Sequence, residues 1–270
     1  YNSVRLMANT LLVLGFAAST FLTLPLSARE PLANRIAHTD AAKFHHSPAV
    51  HDGAGSLDYM PLFGARDFNN NLYFLHRGVI EPKSGIGAHF HNQCEEMFII
   101  FDGEAQFTID GRTSLLKGPA GALCRMGHSH AIYNATDKPL QWMNINIGSQ
   151  KDKYDAFNLG DSRVGAPLDN IPVFMTMHLD SALLKLQPDG RGARGAISYR
   201  RAFAPDVFNT NWSYVDHLSL APGASTGKER HEGVEEFYYV MNGDGDVRIN
   251  DESAPIHAGD AIPVLFNDVH

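Results

Sequence analysis

Cysteine is scarce. Cys94 and Cys124 are the only two in 270 residues, which excludes a disulfide-dense scaffold and leaves at most one bridge, between those two. Positive charge is scarce as well: 22 Lys and Arg stand against 30 Asp and Glu, for a net charge of -8, and no basic run exceeds Arg200-Arg201. A nucleic-acid partner is therefore not expected. Long apolar runs are absent except at the amino end, where the stretch from Met7 to Ala28 carries no charge before Arg29. Its length and the small residues before Arg29 read as an export signal with cleavage near Ala28. Gly15, Ser19, Thr20, Thr23 and Pro25 weaken the rival reading as a membrane anchor, so the expectation is a periplasmic or extracellular protein with no stable membrane insertion once residues 1 to 28 are removed.

Histidine, by contrast, is plentiful, with 14 in the chain. Four of them, His38, His45, His46 and His51, fall in residues 29 to 58, an arm without clear periodicity that either wraps the first barrel or is mobile. His45 and His46 are adjacent, so on an extended chain they face opposite ways. A solvated arm is the expected state.

Shifted by 140 positions, the chain overlays itself without a gap. Phe63 meets Phe203, Phe68-Asn69-Asn70-Asn71 meets Phe208-Asn209-Thr210-Asn211, and Gly87 meets Gly227. His91 meets His231, Glu95-Glu96 meets Glu235-Glu236, Gly103 meets Gly243, and His130 meets His270. The period is too long for a solenoid, so the repeat means duplicated domains. Within each copy the texture is short strands and turn residues. Met97 to Phe101 and Phe237 to Met241 are apolar runs, and Asp110-Gly111 after Ala105 to Ile109 predicts a tight hairpin. The expected class is all-β, closing as barrels or sandwiches. Residues 59 to 150 form the first copy, 151 to 196 a linker with a short helix capped by Ser181 and loosened by Gly190, Gly192 and Gly195, and 197 to 270 the second copy.

His89 and His91 are separated by one residue, so on a strand both imidazoles point to the same face and reach one ion. Glu96 and His130 supply a third and a fourth ligand. Three imidazoles and a carboxylate suit a divalent transition metal such as Mn, Fe, Ni, Cu or Zn. Glu95 rivals Glu96, and His128, of equal strand parity, rivals His130. In the second copy the corresponding set is Glu229, His231, Glu236 and His270, which favours a harder ion or marks a site turned to structure. Cys94, between ligands, reads as a thiolate ligand, as a redox-active neighbour or, more often for such a residue, as a small buried one.

These residues resemble the motifs of the cupin superfamily. The first motif reads Gly, five residues, His-x-His, three or four residues, Glu, six residues, Gly, and His89, His91, Glu96 and Gly103 match it, with Lys83 at the leading Gly. The second reads Gly, five residues, Pro-x-Gly, two residues, His, three residues, Asn; Gly127, His130 and Asn134 match it, with Pro119 and Arg125 at the Gly and Pro positions. The second copy keeps the leading Gly as Gly223 and the later one as Gly259, with Leu265 and Asn267 replacing Pro and Gly. The resemblance implies a two-domain cupin: two tandem antiparallel β-barrels of the double-stranded β-helix or jelly-roll kind, the second cut short at the carboxyl end, since the sequence stops inside a motif. It implies a metal held by the four matching residues and a small-molecule substrate, and it is compatible with a homo-oligomer.

The family spans several chemistries, so fold alone does not choose among them. The first expectation is a metal-dependent oxidoreductase of the dioxygenase kind, with Glu96 as ligand or base and Arg125 binding a substrate carboxylate. The alternatives are a two-barrel decarboxylase and an exported metal-containing binding protein for a sugar or small acid.

Overall fold

The computed structural model describes residues 29–187 and 192–270; the expected export signal and Gly190 lie outside them. The first domain consists of two facing antiparallel sheets. One has seven strands in the order Thr176–His178, Ala120–Cys124, Cys94–Ile100, Leu140–Gly148, Leu72–Ile80, Ser56–Gly64 and His45–Pro48. The other has five, in the order Phe157–Asn158, Ser84–His91, His128–Asn134, Glu104–Ile109 and Arg112–Lys117. The Asp110-Gly111 hairpin forms as expected, with both residues at positive φ (47° and 77°).

The strand Cys94–Ile100 is buried along its whole length, which explains why its sequence lacks polar alternation. Phe98 and Ile100 face the barrel interior with Phe107, Ile132 and Trp142. Met97 and Ile99 face the other way, into a second apolar cluster shared with Phe203 and Phe208 of the second copy. Burying each of these large side chains contributes roughly 1.5–3 kcal/mol. Phe237 closes the same cluster, its ring 6.2 Å from Phe63 and 6.5 Å from Phe68.

The duplication is visible in the backbone. Lys83, at the position of a family glycine, adopts φ 55° and Gly223 adopts φ 76°; Gly127 adopts φ 85° and Asn267 φ 64°. The Lys83 amine bonds the Ala135 carbonyl at 2.6 Å and pairs with Asp137 at 3.1 Å, so the departure in sequence keeps the left-handed turn. Asn134 closes the second motif: its amide donates to the carbonyls of Ile80, Glu81 and Lys138 and accepts from Thr136.

Residues 29 to 58 are not a solvated arm. Leu32 and Ile36 are buried in the second copy's core with Ile249, Ala254, Ile262 and Val264. Ala37–His38 pairs with Ala261 and Asp260, whereas His45–Pro48 pairs with Tyr59 to Ser56 of the first copy. His45 and His46 are exposed and turn to different partners, the His45 ring lying 4.2 Å from that of Tyr59 and His46 Nδ1 2.8 Å from Asp58 Oδ1. Residues 49 to 53 then press on the strand Ser84–His91. A Cβ on Gly87 would lie 2.0 Å from the His51 carbonyl oxygen, so only glycine allows this approach.

The segment after Gly148 is no free linker either, because Phe157–Asn158 and Thr176–His178 extend the two sheets. The expected helix at Ser181 is a single 3-10 turn, Ser181–Leu183, capped by the Asp180 side chain accepting from Ala182 N. Among the described residues, no helix is long and apolar enough to cross a membrane.

Candidate metal centre

The strand Ser84–His91 carries His89 and His91 on one face, and its antiparallel neighbour carries His130, in register with His89. Glu96 enters from the facing sheet. The ligand atoms of His89, His91, Glu96 and His130 all lie within 4.8 Å of one another, and all four residues are buried. His130 Nε2 is 3.0 Å from His89 Nε2, and Glu96 Oε2 is 2.8 Å from His91 Nε2 and 3.8 Å from His130 Nε2. Such spacings suit nitrogen and oxygen ligands that each stand about 2.0–2.2 Å from a common ion.

The surroundings aim these atoms at the centre. His89 Nδ1 is fixed by the Gly87 carbonyl at 2.8 Å and His91 Nδ1 by the Asp155 carbonyl at 2.6 Å. With a proton held on Nδ1, His89 presents its Nε2 lone pair inward, and His91 does so once the second proton leaves its ring. His91 Nε2 is buried without an aligned hydrogen bond, a position a metal ion would satisfy. Asn144 and Asn146 donate to the two oxygens of Glu96 at 2.5 and 2.9 Å. Burial disfavours the Glu96 charge, yet His91 and the other imidazoles outweigh it and hold the carboxyl well below its ordinary range. Burial brings His89 down to about 4, leaving a neutral imidazole ready for a metal. Burial also opposes a charge on His91, but Cys94 and Glu96 lift it to about 11, so its proton must leave when a metal binds. The donor set fits a divalent transition metal.

The rivals fall elsewhere. Glu95 points to the other face of its strand, away from the four ligands. His128, at the strand's outer end, is half exposed and bonds Asp110 at 2.6 Å. Cys94 and Cys124 are both buried and free, so the single bridge that the sequence allows is not formed. Arg125 does not reach the site: its Nε donates to the Val207 carbonyl at 2.7 Å and its Nη2 faces the Met175 sulfur. That placement removes the role of substrate clamp, because the expected turn position packs against the second copy instead.

A cavity of about 140 Å³ adjoins Glu96, lined by Val50, His51, Leu57, Tyr59, Phe74, His76, Ile86, Trp142, Asn144 and Tyr154. His51 stacks on His89, with ring centroids 3.8 Å apart, and its Nδ1 meets the Asn158 side chain at 2.6 Å. Its backbone is left-handed, φ 50°, a strained state of order 1–3 kcal/mol that these contacts hold. In the sequence His51 is hidden among the arm histidines. Asn144 and Asn146 do leave a signal there, two amides two residues apart on an otherwise apolar strand, hence on one face.

In the second copy, Glu229, His231 and His270 gather in the same way but are only half buried. Glu236 Oε1 lies 3.7 Å from His231 Nε2 and 3.1 Å from His270 Nε2. Tyr214 donates to Glu236 Oε2, and the Tyr238 hydroxyl sits 3.1 Å from His270 Nε2.

A family model for the cupin domain matches residues 76–146 and again 216–270. The chain is a two-domain cupin. It is 32% identical over 78 residues to an oxalate-binding protein of Thermotoga maritima, covering 29% of this chain and 62% of that protein. The fold is similar to that of the Lactobacillus farciminis oxalate decarboxylase in its formate complex (TM-score 0.56, 14% identity, 86% of this chain and 80% of that one). It is also similar to a glyoxylate-induced protein from Pseudomonas aeruginosa (TM-score 0.54, 16% identity, 79% and 74%). The bicupin thus spans less than two thirds of the curated relative at 32% identity.

Proposed function

We propose that this bicupin is a metal-dependent enzyme acting on a small organic acid, that the first domain carries the reaction, and that the reaction is a decarboxylation rather than an oxygenation. The cavity beside Glu96 carries the proposal. It is small, walled by Val50, Leu57, Phe74, Ile86 and Trp142, and has neither Lys nor Arg among its lining residues. A dianion there would bury one charge without a partner, at a cost of several kcal/mol. The cavity therefore favours an acid with one carboxylate and an apolar remainder. The oxalate-binding relative and the oxalate decarboxylase fold support acid chemistry.

His89, His91, Glu96 and His130 would hold the ion, which supplies a positive charge for the substrate carboxylate when bound. Glu96, gripped by Asn144 and Asn146, acts as a fixed ligand and not as a moving base. The site's apolar walls exclude water from the reacting carbon. The carbon that loses CO2 takes up a proton, and the side chains in the cavity that carry one are Tyr59, Tyr154, His51 and His76. Burial, and then the Glu96 charge, keep the Tyr154 hydroxyl protonated. Export is part of the proposal and rests on residues 7 to 28 alone; cell fractionation tests it.

The test is a screen of the metal-loaded protein against 2-oxo and aryl monocarboxylates and oxalate, reading CO2 and product by mass spectrometry, with His91→Ala as control. Monocarboxylates are expected to react and oxalate to lag. Preference for oxalate over every monocarboxylate would sink the one-carboxylate reading, and oxygen uptake would restore the dioxygenase. Thermal stabilisation by an acid without product would favour the binding-protein alternative, which the curated relative's name supports.

A further inference from the structure

Glu95 and Glu235 occupy equivalent places in the repeat, each one residue before the carboxylate of its copy's ligand set. Glu95 is fully buried, and its carboxylate accepts from Asn209 N at 2.8 Å, Thr210 N at 2.9 Å and Thr210 Oγ1 at 2.6 Å, all in the second domain. Glu235 does the same in reverse. It accepts from Asn69 N at 2.8 Å, Asn69 Nδ2 at 2.8 Å and Asn70 N at 2.7 Å, in the first domain. The contact is self-complementary, with equivalent residues on both sides. Charge-assisted bonds of this number and length fix the orientation of a buried carboxylate. Because neighbours on a strand point to opposite faces, the peptide that fixes Glu95 outward also fixes Glu96 inward.

We infer that each ligand carboxylate is positioned from the opposite domain: Glu96 through Glu95 by Asn209 and Thr210, and Glu236 through Glu235 by Asn69 and Asn70. The inference rests on the metal reading of the first site. Glu95, Glu235, Thr210 and Asn69 are positioning residues, and none touches the ion or the substrate. The consequence is crossed dependence, since a substitution in the second domain weakens the first domain's ion and the reverse.

The experiment titrates the full chain with Mn(II), or with Zn(II) where the parent takes no Mn(II), in a His231→Ala background that isolates the first site. Thr210→Val and Glu95→Gln are expected to weaken that site about tenfold, the size of effect found for groups that orient ligands. Asn69→Ala, which breaks the matching half of the same interface, is expected to leave it unchanged. Thermal melts of all three accompany the titrations, because a purely structural interface would lower stability in all three without this asymmetry. Equal weakening by Asn69→Ala and Thr210→Val, or no weakening by Thr210→Val and Glu95→Gln, would overturn the inference while the metal reading survives. A parent that binds neither ion would overturn both.

Discussion

The two ligand clusters descend from one motif but differ in what surrounds them. In the first, His89 and His91 have their Nδ1 atoms tied to carbonyls, Glu96 is held at both oxygens by asparagines, and all four ligands are buried. In the second, a carboxylate replaces one imidazole, the cluster is half open, and a tyrosine hydroxyl occupies the neighbourhood of His270 Nε2. A ligand set kept by duplication is thus not sufficient; the groups behind the ligands decide whether lone pairs converge.

The largest expected effect breaks the first cluster. His91→Ala should weaken its metal more than the 10–100-fold expected for outer groups, abolish turnover, and leave the second cluster's occupancy unchanged, as metal analysis would show. Leu32→Ala, which hollows the second domain's core, should cost about 2–5 kcal/mol in urea unfolding, with first-site affinity kept. A mobile arm would predict no loss.

Burial pushes His76 down to about 4 from an ordinary value near 6.5. The unfolded chain therefore binds this proton first as pH falls, so stability is complete above about 6.5 and declines until about 4, by up to about 3 kcal/mol. His76→Phe should flatten that part of a stability profile measured by urea midpoints.

Asn146→Ala frees one Glu96 oxygen and leaves Cys94 without its amide contact; first-site affinity should fall about 10–100-fold by competition titration. Tyr238→Phe removes the hydroxyl beside His270 Nε2 and should strengthen the second cluster's metal by a few fold, about 1 kcal/mol or less. A loss of affinity there would mean that the tyrosine orients His270 instead of competing for it.

Much of this comparison is legible in the chain. The 140-residue shift, the His89 and His91 parity and the count from Glu96 to Gly103 identify the ligands and their copies. The same shift marks Glu229 as the odd ligand. Two residues escape it, for one reason. Motif position puts Arg125 in the site, but the side chain packs on Val207, 82 residues away. The lack of periodicity around His51 reads as solvent exposure, yet its ring stacks on His89, which belongs to another segment.

Alternation along a strand is a local property set by backbone geometry, so the sequence alone settled which residues share a face, and with the motif resemblance and the 140-residue repeat it pointed to two cupin domains and their candidate ligands. Which segments meet across the barrel, whether Leu32 belongs to the second domain's core, and that Glu95 grips the opposite domain while Glu96 turns inward were decided by tertiary packing. Those contacts join residues far apart in the chain, and their geometry depends on the shape and burial of every element between them.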